Sequence, residues 1–425
     1  MSRFLPAVFA GLLVLGQVVH AAAQDASRFS NLPASPQFRI SEVLGRDFRV
    51  PANLVRGKLS GSDLHVGNYF GSTVGISGDT VVVASRAFRC VKGGAYVFVK
   101  PATGWQDMTQ TAKLTGSDWG GCGVSGFDLV AISGDTIIAG PGPNGASIYV
   151  FVKPKGGWRD MTETARLTPS GSLYDLLSVA VSDNTVAIGY PNALGNQLGA
   201  VAVFVKPVGG WEDMTQQTAT LTASDAGPGD QLGWAVATDG NTIIGGAPYA
   251  TVNGIKWAGA VYVFVKPLAG WTDMTQTAKL TPTYTIGGEL GQCLSLSSAV
   301  AVACATPAAY AFVEPPNGWQ DMTPTGTLNP PNSGGFISAS VSGNIIATGA
   351  PDSPGYPLYY GAAFAYLKPD GGWQNVSSPN AAFWGKPSGG NQFTGQSVSV
   401  SGGTFVVGAP GVRNDTGLVY LFAHQ

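Results

Sequence analysis

Catalysis at a fixed site needs nucleophiles, acids or metal ligands that a fold can bring together, and this chain is sparing with them. After residue 23 it holds two histidines, His65 and His424. That is little material for a Ser-His-Asp arrangement or a zinc centre. Acids are present but repetitive: Asp107, Asp160, Asp213, Asp273 and Asp321 each stand two residues after a Trp, and Asp63, Asp118 and Asp225 recur between those segments. Acids repeated at a fixed offset are expected to hold turns through bonds to nearby backbone N–H groups. The stretch GCGVSG at 121–126 spells Gly-x-Gly-x-x-Gly. No helix follows it on which a phosphate could sit, so no nucleotide site is expected.

The side chains that break the repetition are aromatic and basic. Arg86, Phe88, Arg89, Trp119, Tyr249, Trp257, Tyr356, Tyr359, Tyr360 and Trp384 each occur without counterparts in the other repeats. Rings among Asn, Gly and Arg are the material of protein or carbohydrate recognition, and these ten form the candidate ligand-binding set. The competing expectation is that they cap a core.

The elements that must position them come from a repeat of roughly fifty residues. Trp105, Trp158, Trp211, Trp271, Trp319 and Trp373 each follow a Gly, and the first five precede x-Asp-Met-Thr. Upstream lie AYVFVKP, IYVFVKP, VAVFVKP, VYVFVKP, AYAFVEP and AFAYLKP, and a seventh copy ends at the C-terminus before any Gly-Trp. The Trp itself reads as a packing residue between repeats. Each unit reads as four strands without a helix, in the fourth unit 234–237, 242–246, 261–265 and 274–280. The third strand is apolar on both faces, which a sheet wetted on one side would not be. Radially stacked four-stranded sheets supply the double cover, so the expected fold is all-β, a seven-bladed β-propeller of antiparallel blades. The last unit lacks a fourth strand, and NLVRGKLSGSD at 53–63 matches one. Residues 54–59 are expected to pair with 418–422 and close the ring, removing exposed edges.

In that frame His65 falls in a connection between blades and His424 at the far end of a third strand, on the opposite face. The candidate aromatics fall in the loops after second strands and between blades, which share one face. Three regions are expected: a secretory signal over 1–23, with Arg3, an apolar run and Ala21-Ala22-Ala23; a linker or loosely docked arm over 24–53; and the propeller over 54–425. The apolar run of the leader is short for a membrane span, and no later span is expected. Charged residues make up 11% of the chain against a usual figure of about 25%. The formal net charge is −2, with no basic face to suggest nucleic acid or anionic lipid. Four cysteines in a secreted chain allow three pairings. Repeat position favours Cys90 with Cys122 and Cys293 with Cys304, buried thiols being the alternative. Asn375-Val-Ser377 and Asn414-Asp-Thr416 are glycosylation sequons.

Phe70-Gly71, Gly246-Ala247-Pro248, Gly349-Ala350-Pro351 and Gly408-Ala409-Pro410, with degenerate forms at Leu232-Gly233, Leu290-Gly291 and Gly189-Tyr190-Pro191, give the chain its family likeness. It resembles the FG-GAP repeats of integrin alpha-subunit propellers and their secreted bacterial relatives. The resemblance implies an extracellular or cell-surface binding and adhesion module whose partner is a protein or a glycan. Relatives often carry a calcium loop, Asp-x-Asp-x-Asp-Gly. Here the matching turns read SGDT at 77 and 133, SDNT at 182, DGNT at 239, SSA at 297, SGN at 342 and SGGT at 401. None offers three closely spaced ligands, so neither calcium nor another cofactor is expected. The alternatives are a polysaccharide lyase or hydrolase on the same face, which would need a carboxylate pair, and a purely structural surface component.

Overall fold

Short apolar strands punctuated by Gly, Asn and Asp can bury themselves only by pairing, and the computed structural model assembles them into seven sheets. It describes residues 54–86, 93–119, 126–140, 147–170, 176–283, 287–330, 335–352, 360–384 and 391–424. All of these belong to one compact unit, Arg49–Gln425. The leader and arm expected over 1–53, and Phe88, Arg89, Cys90, Cys122, Tyr356 and Tyr359, lie outside the described residues.

Each sheet holds a four-stranded antiparallel blade, its strands side by side in sequence order except in blade 7, whose fourth place is taken by an N-terminal strand. Three sheets gain a fifth, parallel strand from the next blade. Blade 4 is typical, with Val236–Thr238, Thr242–Ala247, Ala260–Val265 and Ala278–Leu280. Ile243 lies opposite Phe264, and Val263 opposite Ala278. The first strands of successive blades pack against one another in a closed circuit, from Val74–Ser77 round to Val398–Ser401. Serine hydroxyls stitch this circuit across blades: Ser77 accepts from the Gly134 N–H at 3.0 Å, Ser295 from Val341 at 2.9 Å and Ser340 from Val400 at 3.0 Å.

The third strand is covered on both faces for the reason its composition implies. Val261 and Val263 enter the cluster shared with blade 5, while Tyr262 and Phe264 enter the cluster shared with blade 3. Ring closure also follows the sequence. Leu54–Ser60 pairs antiparallel with Leu418–His424, Leu59 opposite Val419 and Gly57 opposite Leu421, and completes blade 7.

Two boundaries differ from expectation. The first strand of blade 4 begins at Val236, because Trp234 sits in the turn before it and packs edge-on against Tyr249. The unbroken fourth strand expected over 274–280 is two strands. Met274–Thr275 leaves its own blade and pairs in parallel with Ala219–Thr222, the outer strand of blade 3, and Ala278–Leu280 then returns to blade 4. Trp271 causes the excursion by burying its indole against Val203 and Leu221 of blade 3. Thr277 ends it, donating its N–H to Val263 O at 2.7 Å while its hydroxyl accepts from the Val265 N–H at 3.0 Å. The same strap recurs as Met108–Thr109 on Leu54–Ser60 and Met161–Thr162 on Ala112–Thr115. It shrinks to single bridges at Leu167 with Met214, Leu280 with Met322 and Leu328 with Val376.

The glycines that gave the chain its likeness form a backbone joint. Gly408 at the end of a second strand lies so close to Gly71 of the next blade that a Cβ would collide with the Gly71 carbonyl oxygen, and Gly71 itself has φ 94°. Gly246 with Gly291 and Gly349 with Gly395 repeat the contact. Only glycine permits both the approach and the backbone angle.

Candidate functional site

The repeated acids, expected to hold local turns, instead join blades. Each strap acid accepts a backbone N–H from the outer strand of the preceding blade. Asp107 takes Lys58 at 2.8 Å, Asp160 takes Lys113 at 2.7 Å, Asp213 takes Arg166 at 2.8 Å, Asp273 takes Thr220 at 2.7 Å and Asp321 takes Lys279 at 2.7 Å. Asn375 does the same for Thr327 at 3.0 Å, so the amide oxygen of that sequon is already engaged. The turn expectation fails because the strap is extended and carries the carboxylate away from its own turn to a neighbouring edge.

The acids between repeats also reach across blades. Asp63 accepts from Tyr96 Oη at 2.7 Å and Lys113 Nζ at 2.6 Å, and Asp225 accepts from Tyr262 Oη at 2.9 Å and Lys279 Nζ at 2.5 Å. Asp118 does likewise with Tyr149 Oη at 2.9 Å and Arg166 at 3.2 Å. Burial works to raise the Asp63 and Asp225 carboxyls, but the lysine and tyrosine bonds outweigh it and hold both below the usual carboxylate range. Burial first, then the Asp118 bond and charge, push the Tyr149 phenol up to about 12. These are structural pairings, each using donors that a catalytic acid or base would need free.

The candidate ligand residues separate. Trp119 packs on Phe127 with ring centroids 4.7 Å apart, and Trp384 packs edge-on against Phe364 at 6.1 Å, so both cap cores. Arg86 Nε meets Asp128 at 2.5 Å, tying the loop after the second strand of blade 1 to the connection entering blade 2. Tyr360 is half-buried, and its carbonyl receives the Thr394 N–H at 3.1 Å. His65 is exposed, and its backbone bonds Asn68. Cys293 and Cys304 form a disulfide across the first hairpin of blade 5, Cα atoms 5.0 Å apart.

Tyr249 and Trp257 are the two candidates that the structure brings together. They line a cleft of about 420 Å³ between blades 3 and 4, with Gln197, Asp230, Gln231, Thr251 and Lys256. Trp257 is the exposed one among ten tryptophans, at 61%, and the six repeated ones are buried. Its loop is a small hairpin: Val252 and Ile255 exchange backbone bonds around Asn253 and Gly254, with φ 53° and 78°. Asn-Gly between apolar residues is a strong hairpin signal in sequence, and it was there to be read at 252–255. The Glu289 N–H donates to Trp257 O at 2.9 Å and clamps the base of the ring.

The polar wall was not anticipated. The Gln231 N–H donates to Gln197 O at 3.1 Å, and the Gln231 side-chain oxygen is buried without a protein partner. Asp230 accepts the Gly227 N–H at 2.8 Å, yet burial still raises its carboxyl above the usual range. Both residues follow the Gly227-Pro228-Gly229 turn in the connection entering blade 4, a loop signal that was there to be read. A larger depression of about 580 Å³ lies on the rim beside the closing strand, lined by Lys58, Asp107, Met108 and Arg413 without an aromatic ring. The described residues contain no group of three or more His, Cys, Asp or Glu placed to share a metal ion. They also contain no helix long and apolar enough to cross a membrane.

Among curated proteins, none matches the chain. A solved structure similar to it is the crystal structure of the computationally designed Ika8 protein, 13% identical over 86% of this chain and 98% of that one, with a TM-score of 0.48. Residues 55–98 and 215–264 match the FG-GAP repeat family. The first match begins on the closing strand and runs through the first three strands of blade 1, and the second covers most of blade 4. With the glycine joints between its blades, the chain is a seven-bladed β-propeller that carries FG-GAP repeats at residues 55–98 and 215–264.

Proposed function

We propose that this propeller is an extracellular recognition module that binds glycan in the cleft between blades 3 and 4. FG-GAP repeats are typical of extracellular proteins, and the fold is compatible with a binding or adhesion module. The single observation that carries the proposal is Trp257, an indole held out on a clamped hairpin above a polar cleft. A sugar ring offers one apolar face, which stacks on such a ring, and a rim of hydroxyls, which need the mixed donors and acceptors of Gln197, Gln231, Thr251 and Lys256. The Gln231 side-chain oxygen, buried at the cleft wall without a protein partner, would accept a hydroxyl once its amide turns toward the cleft.

Binding is favoured over cleavage because Asp230 is the one carboxylate lining the cleft, whereas glycosidic hydrolysis uses two about 5–10 Å apart. The test is a broad glycan array probed with the full chain and with Trp257→Ala, with and without calcium. Selective binding that disappears in the variant supports the assignment. A silent array refutes the glycan and moves the cleft to a protein partner, and calcium dependence would show that the turns bind metal after all.

A further inference from the structure

Blades 1, 2 and 4 share a contact built from a cation, a tyrosine and an acid. The cation on the outer strand lies opposite a third-strand tyrosine, Lys113 against Tyr96, Arg166 against Tyr149 and Lys279 against Tyr262. It sits over the ring, 5.0, 5.4 and 5.1 Å from the centroid. An acid from the connection entering the blade completes the set: Asp63, Asp118 and Asp225. So engaged, the Lys113 and Lys279 side chains are only 15% and 17% exposed.

Blade 7 keeps the cation and the tyrosine, with Lys58 opposite Tyr420 in the same register. Its acid is missing. Between Asp370 and Asp415 the sequence holds no Asp or Glu, so the connection entering this blade has no carboxylate to give. Lys58 is exposed, and its ammonium has no hydrogen bond or ion pair among the described residues. The exposed guanidinium of Arg413 is equally unpaired there. Both cations line the depression of about 580 Å³ on the rim, a volume ordinary for a small-molecule site.

The rest of its lining narrows the ligand. Asp107 gives one carboxylate oxygen to the Lys58 N–H at 2.8 Å, which leaves the other as an acceptor beside the two cations. A bare inorganic anion would be repelled by that acid. Ser60 and Thr109 add hydroxyls, and Met108 adds apolar surface. A hexuronate ring uses all of these: its carboxylate takes Lys58 and Arg413, its hydroxyls donate to Asp107 and exchange bonds with Ser60 and Thr109. We propose that this depression is a saccharide site for a hexuronate residue of an acidic polysaccharide, whose carboxylate meets Lys58 as Asp63, Asp118 and Asp225 meet its counterparts. It does not rest on the cleft between blades 3 and 4.

The probes are galacturonate and glucuronate trisaccharides, each beside its carboxyl-reduced counterpart, titrated calorimetrically into the full chain and its variants. At least one uronate should bind, more weakly as salt rises, and its reduced counterpart should bind at least tenfold more weakly. Lys58→Gln and Arg413→Gln should each weaken it about tenfold, the usual worth of a bond to a charged group. Both variants should melt as the unmodified chain does, since the side chains are exposed and the Lys58 N–H bond to Asp107 remains. Trp257→Ala should leave this binding unchanged, so that failure of the cleft and failure of this site are read separately. Binding of neither uronate overturns the proposal, as does equal affinity for the reduced sugar or undiminished binding by Lys58→Gln. A tri-glutamate peptide that binds as tightly as the uronate overturns the saccharide and assigns the site to an acidic protein segment.

Discussion

At the rim, six tryptophans repeat the same job. Each lies buried between two blades with its Nε1 lacking a protein partner, followed by an acid or amide that clasps the neighbouring edge. On the loop face between blades 3 and 4 a seventh, Trp257, stands 61% exposed on a hairpin without a counterpart among the described residues. The two regions use one residue type in opposite ways. Aromatic area repeated at a fixed period is spent on holding the ring, while an aromatic ring that breaks the period, kept in water by a clamped turn, is free for a partner.

The largest expected effect breaks the rim. Trp211→Ala removes a buried indole between blades 2 and 3 and should cost about 3–5 kcal/mol in urea unfolding. Trp211→Phe should cost far less, because no indole hydrogen bond is lost. Neither should change ligand affinity per folded molecule. A smaller effect sharpens the role of the strap acids. Asp273→Ala should cost about 1 kcal/mol by orphaning the Thr220 N–H, and Asp273→Asn should recover most of it. A stability loss equal in both variants would return the acid to a purely electrostatic role.

The smallest effect is one of pH. The Asp63 and Asp225 carboxyls lie below their unfolded value, so their contribution is complete above about pH 4 and is lost as pH falls through the depressed folded value. Asp225→Asn should flatten the acid limb of the stability profile, read as midpoint against pH, and leave the neutral region nearly unchanged. An unaltered acid limb would remove these pairs from the ring's stability. All of these changes belong to the rim, and the cleft should be indifferent to them.

Much of this was legible because periodicity reports on packing. The both-faces-apolar third strand, the closing strand at 54–59 and the Cys293–Cys304 pair followed from alternation and repeat position alone. The strap was hidden because Met274-Thr275 has the composition of the strand that follows it. Only the burial of Trp271 in the neighbouring blade reveals that the pairing changes partner. The repeated acids were misjudged for the same reason, since sequence shows an acid beside a turn and not the foreign N–H it meets 42 to 53 residues away. Among the described candidate rings, burial decided what type could not. Trp119 and Trp384 were drawn into cores by Phe127 and Phe364, while Trp257 was held out by the Asn253-Gly254 turn.

The most direct test is calorimetric titration of the best-binding saccharide from the array into the full chain, Trp257→Ala and Trp211→Phe, with thermal melts of all three. Trp257→Ala should lose about 2 kcal/mol of affinity, roughly thirtyfold, with stability within about 0.5 kcal/mol of the unmodified chain. Trp211→Phe should bind as the unmodified chain does. Unchanged affinity in Trp257→Ala, or a loss shared by Trp211→Phe, would contradict the division between a structural rim and a binding face.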